Sequence, residues 1–105
     1  MNELWNKIIY ELRTNPRDIK TIPLNRKGKW FYAYSDGNSI FVTYSRQNKP
    51  SCNISIIRKL KNDEFESMIN LYKRRCRGEQ VSYEATNTTV NQVYWYGIFN
   101  CFFNI

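Results

Sequence analysis

The sequence predicts an α+β fold: an N-terminal helix, a three- to four-stranded antiparallel meander, and two C-terminal helices packed on one sheet face, all in a single domain over residues 1–105. Three observations carry that expectation. Apolar residues recur at helical spacing near the start, across residues 62–78 and again near the end. Between them, aromatic and β-branched runs alternate with period two around Ser35-Asp36-Gly37-Asn38, a strong hairpin signal. A chain of 105 residues, 42% hydrophobic and 24% charged, suits one globular core.

Residues 2–14 place Leu4, Trp5, Ile8, Ile9 and Leu12 on one helical stripe, with Asn2 as candidate N-cap. Asn15-Pro16 ends that helix, because the residue before a proline is pushed out of the helical region. The bridge "RDIKTIPL" holds a helical turn or an edge strand near residues 20–24, where Pro23 confines any strand to an edge. Alternation then sets Trp30, Tyr32 and Tyr34 against Phe31 and Ala33, and Ile40, Val42 and Tyr44 against Phe41 and Thr43. The third strand is expected in "SCNISII", where Cys52, Ile54 and Ile56 alternate with Asn53 and Ser55.

"NDEFESMINLYKRRCRG" is the best-specified helix. Asn62 or Asp63 is its expected cap, Asp63 with Glu66 resembles a capping box, and Gly78 is the expected stop. Its buried stripe is expected to be Phe65, Met68, Ile69, Tyr72 and Cys76. At the end, "VYWYGIFNCFF" is too short to cross a membrane. Val90, Val93, Tyr94, Gly97, Ile98, Cys101, Phe102 and Ile105 keep helical period, favouring helix over strand, with Thr88 or Thr89 as cap. The α-β-β-β-α order is similar to that of double-stranded-RNA-binding domains and several small nucleases, a likeness of topology that says little of function.

No motif names a reaction. Histidine is absent, and with it the commonest general base. P-loop, GxGxxG and nucleophile-elbow patterns are missing. Cys52, Cys76 and Cys101 stand about 24 residues apart, which excludes the close pairs of a zinc site. The expectation is therefore no catalytic residues, no metal and no cofactor, with free and mostly buried thiols in a cytoplasmic protein. Asp18-Ile19-Lys20 imitates part of a nuclease site, but turn and capping roles explain these acids better. Phe, Ile, Asn, Tyr and Lys make up 46 of 105 residues, a codon bias pointing to a low-GC genome or a mobile element within one.

Charge is the main functional clue. Sixteen Lys and Arg face nine Asp and Glu, a net charge of +7, which favours anionic partners and nucleic acid first. Eleven of the cations lie between Arg13 and Lys61, where Asp18 and Asp36 are the only acids. Arg26, Lys27, Lys29, Arg46 and Lys49 fall in connections at one end of a meander and are the expected phosphate contacts, helped by Lys73, Arg74, Arg75 and Arg77. The plainer alternative is a solvated rim. Trp30, Tyr32, Tyr34 and Tyr44 suit base stacking, yet a sheet buries one face and large aromatics favour the core, so the core is their expected place. A helix-turn-helix in "VSYEATNTTVNQVYWYGIF", with Asn91 and Gln92 reading bases, is a weaker option because "VSYEA" is a poor helix.

Two further functions compete with nucleic-acid binding. Trp95, Tyr96, Phe99 and Phe103 form a second aromatic face on the last helix, expected to serve a protein partner or a second copy of the chain. A metal-free, ribonuclease-like toxin working through Arg, Lys and Tyr is the third possibility.

Overall fold

The computed structural model describes residues 3–23 and 26–103. Asn2 and Ile105, the expected cap and a core position, lie outside them. Helix α1 (Glu3–Thr14) leads into β1 (Arg17–Lys20), β2 (Trp30–Ser35), β3 (Ile40–Tyr44) and β4 (Arg58–Leu60). A 3-10 turn (Asn62–Glu64) then opens α2 (Phe65–Cys76), followed by the short α3 (Ser82–Thr88) and α4 (Gln92–Phe103). The sheet is a four-stranded antiparallel meander in the order β1-β2-β3-β4.

The α+β architecture is as expected, with α2 and α4 as the two main C-terminal helices. Several elements depart in detail. The edge strand forms at Arg17–Lys20, ahead of residues 20–24. The last strand forms at Arg58–Leu60 rather than in "SCNISII". There the chain instead continues the ladder beside Trp30: Trp30 N–H donates to Pro50 O (2.8 Å) and Cys52 N–H to Trp30 O (2.7 Å), a parallel bridge. Lys49-Pro50 is cis. Residues 53–57 then cross to the far edge of β3, where antiparallel pairing starts at Val42↔Arg58. The weak "VSYEA" segment does become helix, in α3.

The β2–β3 hairpin is closed by its own side chains. Asp36 Oδ1 accepts from the N–H groups of Asn38 (2.8 Å) and Ser39 (2.9 Å), and Ser35 Oγ donates to Ser39 O (2.7 Å). Gly37 sits at φ 101°, open to glycine at little cost. No side-chain hydrogen bond caps the 3-10 turn or α2, so neither Asn62 nor Asp63 plays the expected part. Glu64, at the N-cap position, instead accepts from the indole N–H of Trp95 at 3.1 Å. The other end of α2 matches expectation: Gly78 (φ 90°) lets its own N–H reach Arg75 O and the Glu79 N–H reach Arg74 O, a Schellman close.

The core lies between the sheet and the helices. From α1 come Trp5, Ile8, Ile9 and Leu12, as expected. α2 gives Phe65, Met68, Ile69, Leu71 and Tyr72, whereas Cys76 is exposed. α4 is buried on all sides over Tyr94, Trp95, Tyr96, Gly97, Ile98 and Phe99. That burial overrides the β-propensity of its aromatics and leaves Val90, Val93 and Cys101 outside the core. Gly97 permits the closest approach, since a Cβ there would stand 3.0 Å from both Lys20 O and Phe31 Cε1. Thr89 Oγ1 accepts from the Asn91 N–H (3.1 Å) and shapes the turn ahead of α4.

The second aromatic face of α4 is therefore core. Trp95 and Phe99 are fully buried. Trp95 contacts Trp5 and Phe65, Phe99 contacts Phe65 and Tyr72, and Tyr96 and Phe103 both lie against Tyr72. α2 covers Trp95, Tyr96 and Phe99 from within, and Phe103 is half-buried beside them.

Two outcomes follow from this packing. Gly97→Val drives two methyl groups into Lys20 O and Phe31, and denaturant unfolding should show a loss of about 1–3 kcal/mol. Unchanged stability would mean that α4 does not press on the sheet here. Burial, with a hydrogen bond to Cys76, pushes Tyr72 up to about 12. The unfolded chain ionises this phenol near pH 10, before the folded protein does. Stability contributed by the neutral phenol is thus complete below about pH 10 and declines between about pH 10 and 12. Alkaline unfolding followed by tyrosinate absorbance should be shallower in Tyr72→Phe.

Candidate functional site

α1 packs on β2 and α4 on β1 from the buried side of the sheet, and among the described residues the side chains of the other face are half-buried or exposed apart from Thr43. Register decides which side chains that face carries. Pairing joins Ile19↔Phe31, Ala33↔Val42, Ser35↔Ile40 and Ile40↔Leu60 on the core side, all buried. The opposite side carries Asp18↔Tyr32 and Lys20↔Trp30, then Tyr32↔Thr43 and Tyr34↔Phe41, then Phe41↔Lys59. This reverses the expected assignment. Trp30, Tyr32 and Tyr34 are half-buried on the open face, and Phe31 is the core aromatic. Tyr44 does not join them: it pairs with Phe31 at the strand end and is 62% exposed.

The open face carries a row of rings with cations around it. Tyr34 stacks on Phe41 (centroids 5.4 Å apart) and is tilted against Tyr32 (5.9 Å). The Arg46 guanidinium lies 4.3 Å from the Tyr32 ring centre, and Lys20 Nζ lies 5.9 Å from that of Trp30. A shallow depression on this face is lined by Tyr32, Tyr34, Thr43, Tyr44, Arg46 and Ile57, among others. Ile56 and Ile57, in the segment before β4, are 79% and 53% exposed.

Asp18 builds the loop that delivers Arg46. Its carboxylate accepts from the backbone N–H groups of Arg46 (2.9 Å), Gln47 (2.8 Å) and Asn48 (2.9 Å), and from Asn48 Nδ2 (3.1 Å). Partial burial raises its pKa, but these hydrogen bonds outweigh that and hold it below the ordinary carboxylate value. The resemblance of Asp18-Ile19-Lys20 to a nuclease motif thus gives way to a loop anchor. Among the described residues, no group of three or more Asp, Glu or Cys is placed to hold a metal ion.

The nine expected phosphate contacts fall into three places rather than one patch. Arg46 and Lys49 belong to the Asp18-anchored loop beside the open face. Arg26, Lys27 and Lys29, joined by Arg75, line a cavity at the end of the sheet where β1 gives way to β2. Lys73, Arg74 and Arg77 stay on α2 and its C-terminus. Arg74 pairs with Glu79 and Glu84 (both 2.8 Å) and Arg77 with Glu79 (3.2 Å), so these two neutralise local acids. Sequence reading missed Lys20 and Lys59 on the face, and set Phe41 on an exposed face opposite Trp30, Tyr32 and Tyr34 rather than beside them; only the register, not the residue types, brings these together.

The helix-turn-helix option fails on burial. α3 and α4 do flank a polar turn, but Tyr94 to Phe99 of the second helix are all buried in the core, so its middle cannot lie in a groove. Asn91 Oδ1 is taken by Arg58 (3.1 Å), and Gln92 Nε2 leans on Thr86 (3.4 Å). No described helix is long and apolar enough to cross a membrane. Of the three thiols, Cys76 and Cys101 are exposed and Cys52 is half-buried, against the expectation of mostly buried cysteines.

Removing the anchor should free the loop. In Asp18→Ala, hydrogen exchange at the Arg46, Gln47 and Asn48 amides should accelerate while exchange across β2 and β3 stays slow. A carboxylate with a lowered pKa stabilises the fold fully above its unfolded value, about pH 4, and loses that contribution as pH falls through the lower folded value. The wild-type loop should therefore loosen only in acid below about pH 4; a midpoint above that would contradict the anchor. Comparison with protein-family models, curated proteins and solved structures finds no significant match, so the chemistry of this face is the guide to its use.

Proposed function

We propose that the protein binds single-stranded nucleic acid on the open face of its sheet, without catalysis. Bases stack on Trp30, Tyr32, Tyr34 and Phe41, while Lys20, Arg46, Lys49 and Lys59 hold phosphates. The observation that carries this reading is the four half-buried rings on the face opposite α1 and α4, set among these cations. Half-exposed rings on a sheet offer flat π surface to unpaired bases, each stack contributing about 1–3 kcal/mol. Bases in a duplex are already stacked and paired, so the face suits single strands. Net charge +7 adds the long-range attraction. The competing protein-interaction reading rested on Trp95, Tyr96, Phe99 and Phe103; the first three are buried in the core and Phe103 is half-buried against Tyr72, which leaves that reading less to stand on.

Fluorescence anisotropy with a 5′-hydroxyl single-stranded oligonucleotide and its duplex tests the proposal. The single strand should bind more tightly, and its affinity should fall steeply between about 50 and 200 mM salt. Trp30→Ala and Tyr32→Ala should each cost about 1–3 kcal/mol, roughly five- to 150-fold. Arg46→Ala should weaken binding and lower the salt slope by about one. Lys73→Ala, on α2, should change little. Duplex binding as tight as the single strand, or indifference to the ring substitutions, would overturn it.

A further inference from the structure

The cavity at the end of the sheet has its own chemistry. It measures about 550 Å³ and lies among the β1–β2 connection, the C-terminal end of α2, α3 and the start of α4. Four cations line it, Arg26, Lys27, Lys29 and Arg75, with no Asp or Glu in the lining. Such uncompensated positive charge in a concave site favours an anion. The volume lies within the range of small-molecule pockets and is far larger than a lone oxyanion needs.

Two further groups say what else the ligand brings. The Tyr96 hydroxyl and the Gln92 amide oxygen are both shielded from solvent and have no hydrogen-bond partner. Tyr96 is only 8% exposed, and burial raises its pKa, so it stays a neutral phenol. Leaving such groups unpaired costs about 1–3 kcal/mol each, and because both residues line the cavity, a ligand that turns their polar ends toward it recovers that. Gln92 Oε1 only accepts, so the ligand must present an N–H or O–H donor. Ile22, Pro23, Val93 and Ala85 supply apolar wall for a flat body.

The β1–β2 connection holds its cations in place by a tight crossing. Thr21 N–H donates to Lys29 O (2.8 Å) and Lys29 N–H to Thr21 Oγ1 (2.9 Å). Between Lys27 and Lys29, Gly28 passes so close that a Cβ would stand 2.1 Å from Thr21 O. Arg75 is fixed too: it donates to Ile22 O and lies 4.8 Å from the Tyr96 ring centre.

We propose that this cavity binds a nucleoside phosphate carrying an amino group on its base, phosphate toward Lys27 and Lys29 and base against Tyr96 and Gln92. The ligand is either a free nucleotide or the phosphorylated end of a strand. It is separate from the open face, which is probed with 5′-hydroxyl strands, so failure at one site leaves the other readable.

Titration calorimetry with adenosine 5′-monophosphate, adenosine and inorganic phosphate is the test. The nucleotide should bind at least about tenfold more tightly than either fragment, as expected when a charge-assisted contact is added to base contacts. Lys27→Ala with Lys29→Ala should abolish that advantage, and Gly28→Ala should weaken binding by moving the connection. Tyr96→Phe should raise the melting temperature of the free protein, having removed an unpaired hydroxyl, while reducing the nucleotide-induced rise. A 5′-phosphorylated strand that competes with the nucleotide identifies a strand end as the source; lack of competition identifies a free nucleotide. Equal affinity for nucleotide and adenosine, or binding untouched by the double lysine substitution in a folded protein, overturns the proposal.

Discussion

The close approach of α4 to the sheet at Gly97 is the constraint on which the rest depends. With no side chain between them, the helix backbone sits against Phe31 and the carbonyl of Lys20. From there, six consecutive residues of α4 are buried, with β1 and β2 on one side and α2 on the other. Large rings fill the space a close-packed interior demands: Trp5, Phe65, Tyr72, Trp95 and Phe99 meet edge-on, tilted or stacked. The indole N–H of Trp95, buried in the middle, finds a carboxylate in Glu64.

That same packing determines what faces solvent. A four-stranded sheet has two faces, and α1 and α4 occupy one of them. Alternation then forces every second residue of β2 outward, and those happen to be Trp30, Tyr32 and Tyr34. Contact with Phe41, the Arg46 guanidinium and Lys20 shelters part of the Tyr34, Tyr32 and Trp30 rings in turn, leaving half-buried aromatics in place of a bare apolar patch. Cation contacts of this kind are worth about 0.5–1 kcal/mol at exposed sites. They hold the cation beside the ring at little cost, ready to be shared with a phosphate.

Much of this was legible in the sequence, but with a sign ambiguity. Period-two alternation separates Trp30, Tyr32 and Tyr34 from Phe31 and Ala33 whatever the fold, and it says nothing about which set is inside. The choice goes with α4, whose Gly97 lies against the ring of Phe31. Similarly, "SCNISII" has a strand's alternation, yet residues 50–52 are drawn alongside Trp30, and the remainder crosses to another edge of the sheet. "RKL", with no β-branched residue, becomes the strand because Val42 and Ile40 need partners there. The helical period of the tail was readable, but not that both of its faces would be inside. Residues 24 to 34 apart in sequence, Phe65 and Tyr72 against Trp95 to Phe103, close over it.

The two candidate sites share one short length of chain. Lys20 closes β1 on the open face beside Trp30, and the next residue, Thr21, is locked to Lys29 at the mouth of the cavity. The carbonyl of Lys20 is also what Gly97 touches. A displacement of α4 at this point must therefore move a cation of the face and the frame of the cavity together. On the proposed reading, a ligand in the cavity presses on α4 through Gln92, just over one turn before Gly97, and through Tyr96, its immediate neighbour. Interiors packed this tightly transmit strain instead of absorbing it. If both proposals hold, occupancy of the cavity and stacking on the sheet act on one rigid junction, and a nucleotide in the first should alter the second even though no atom is common to both.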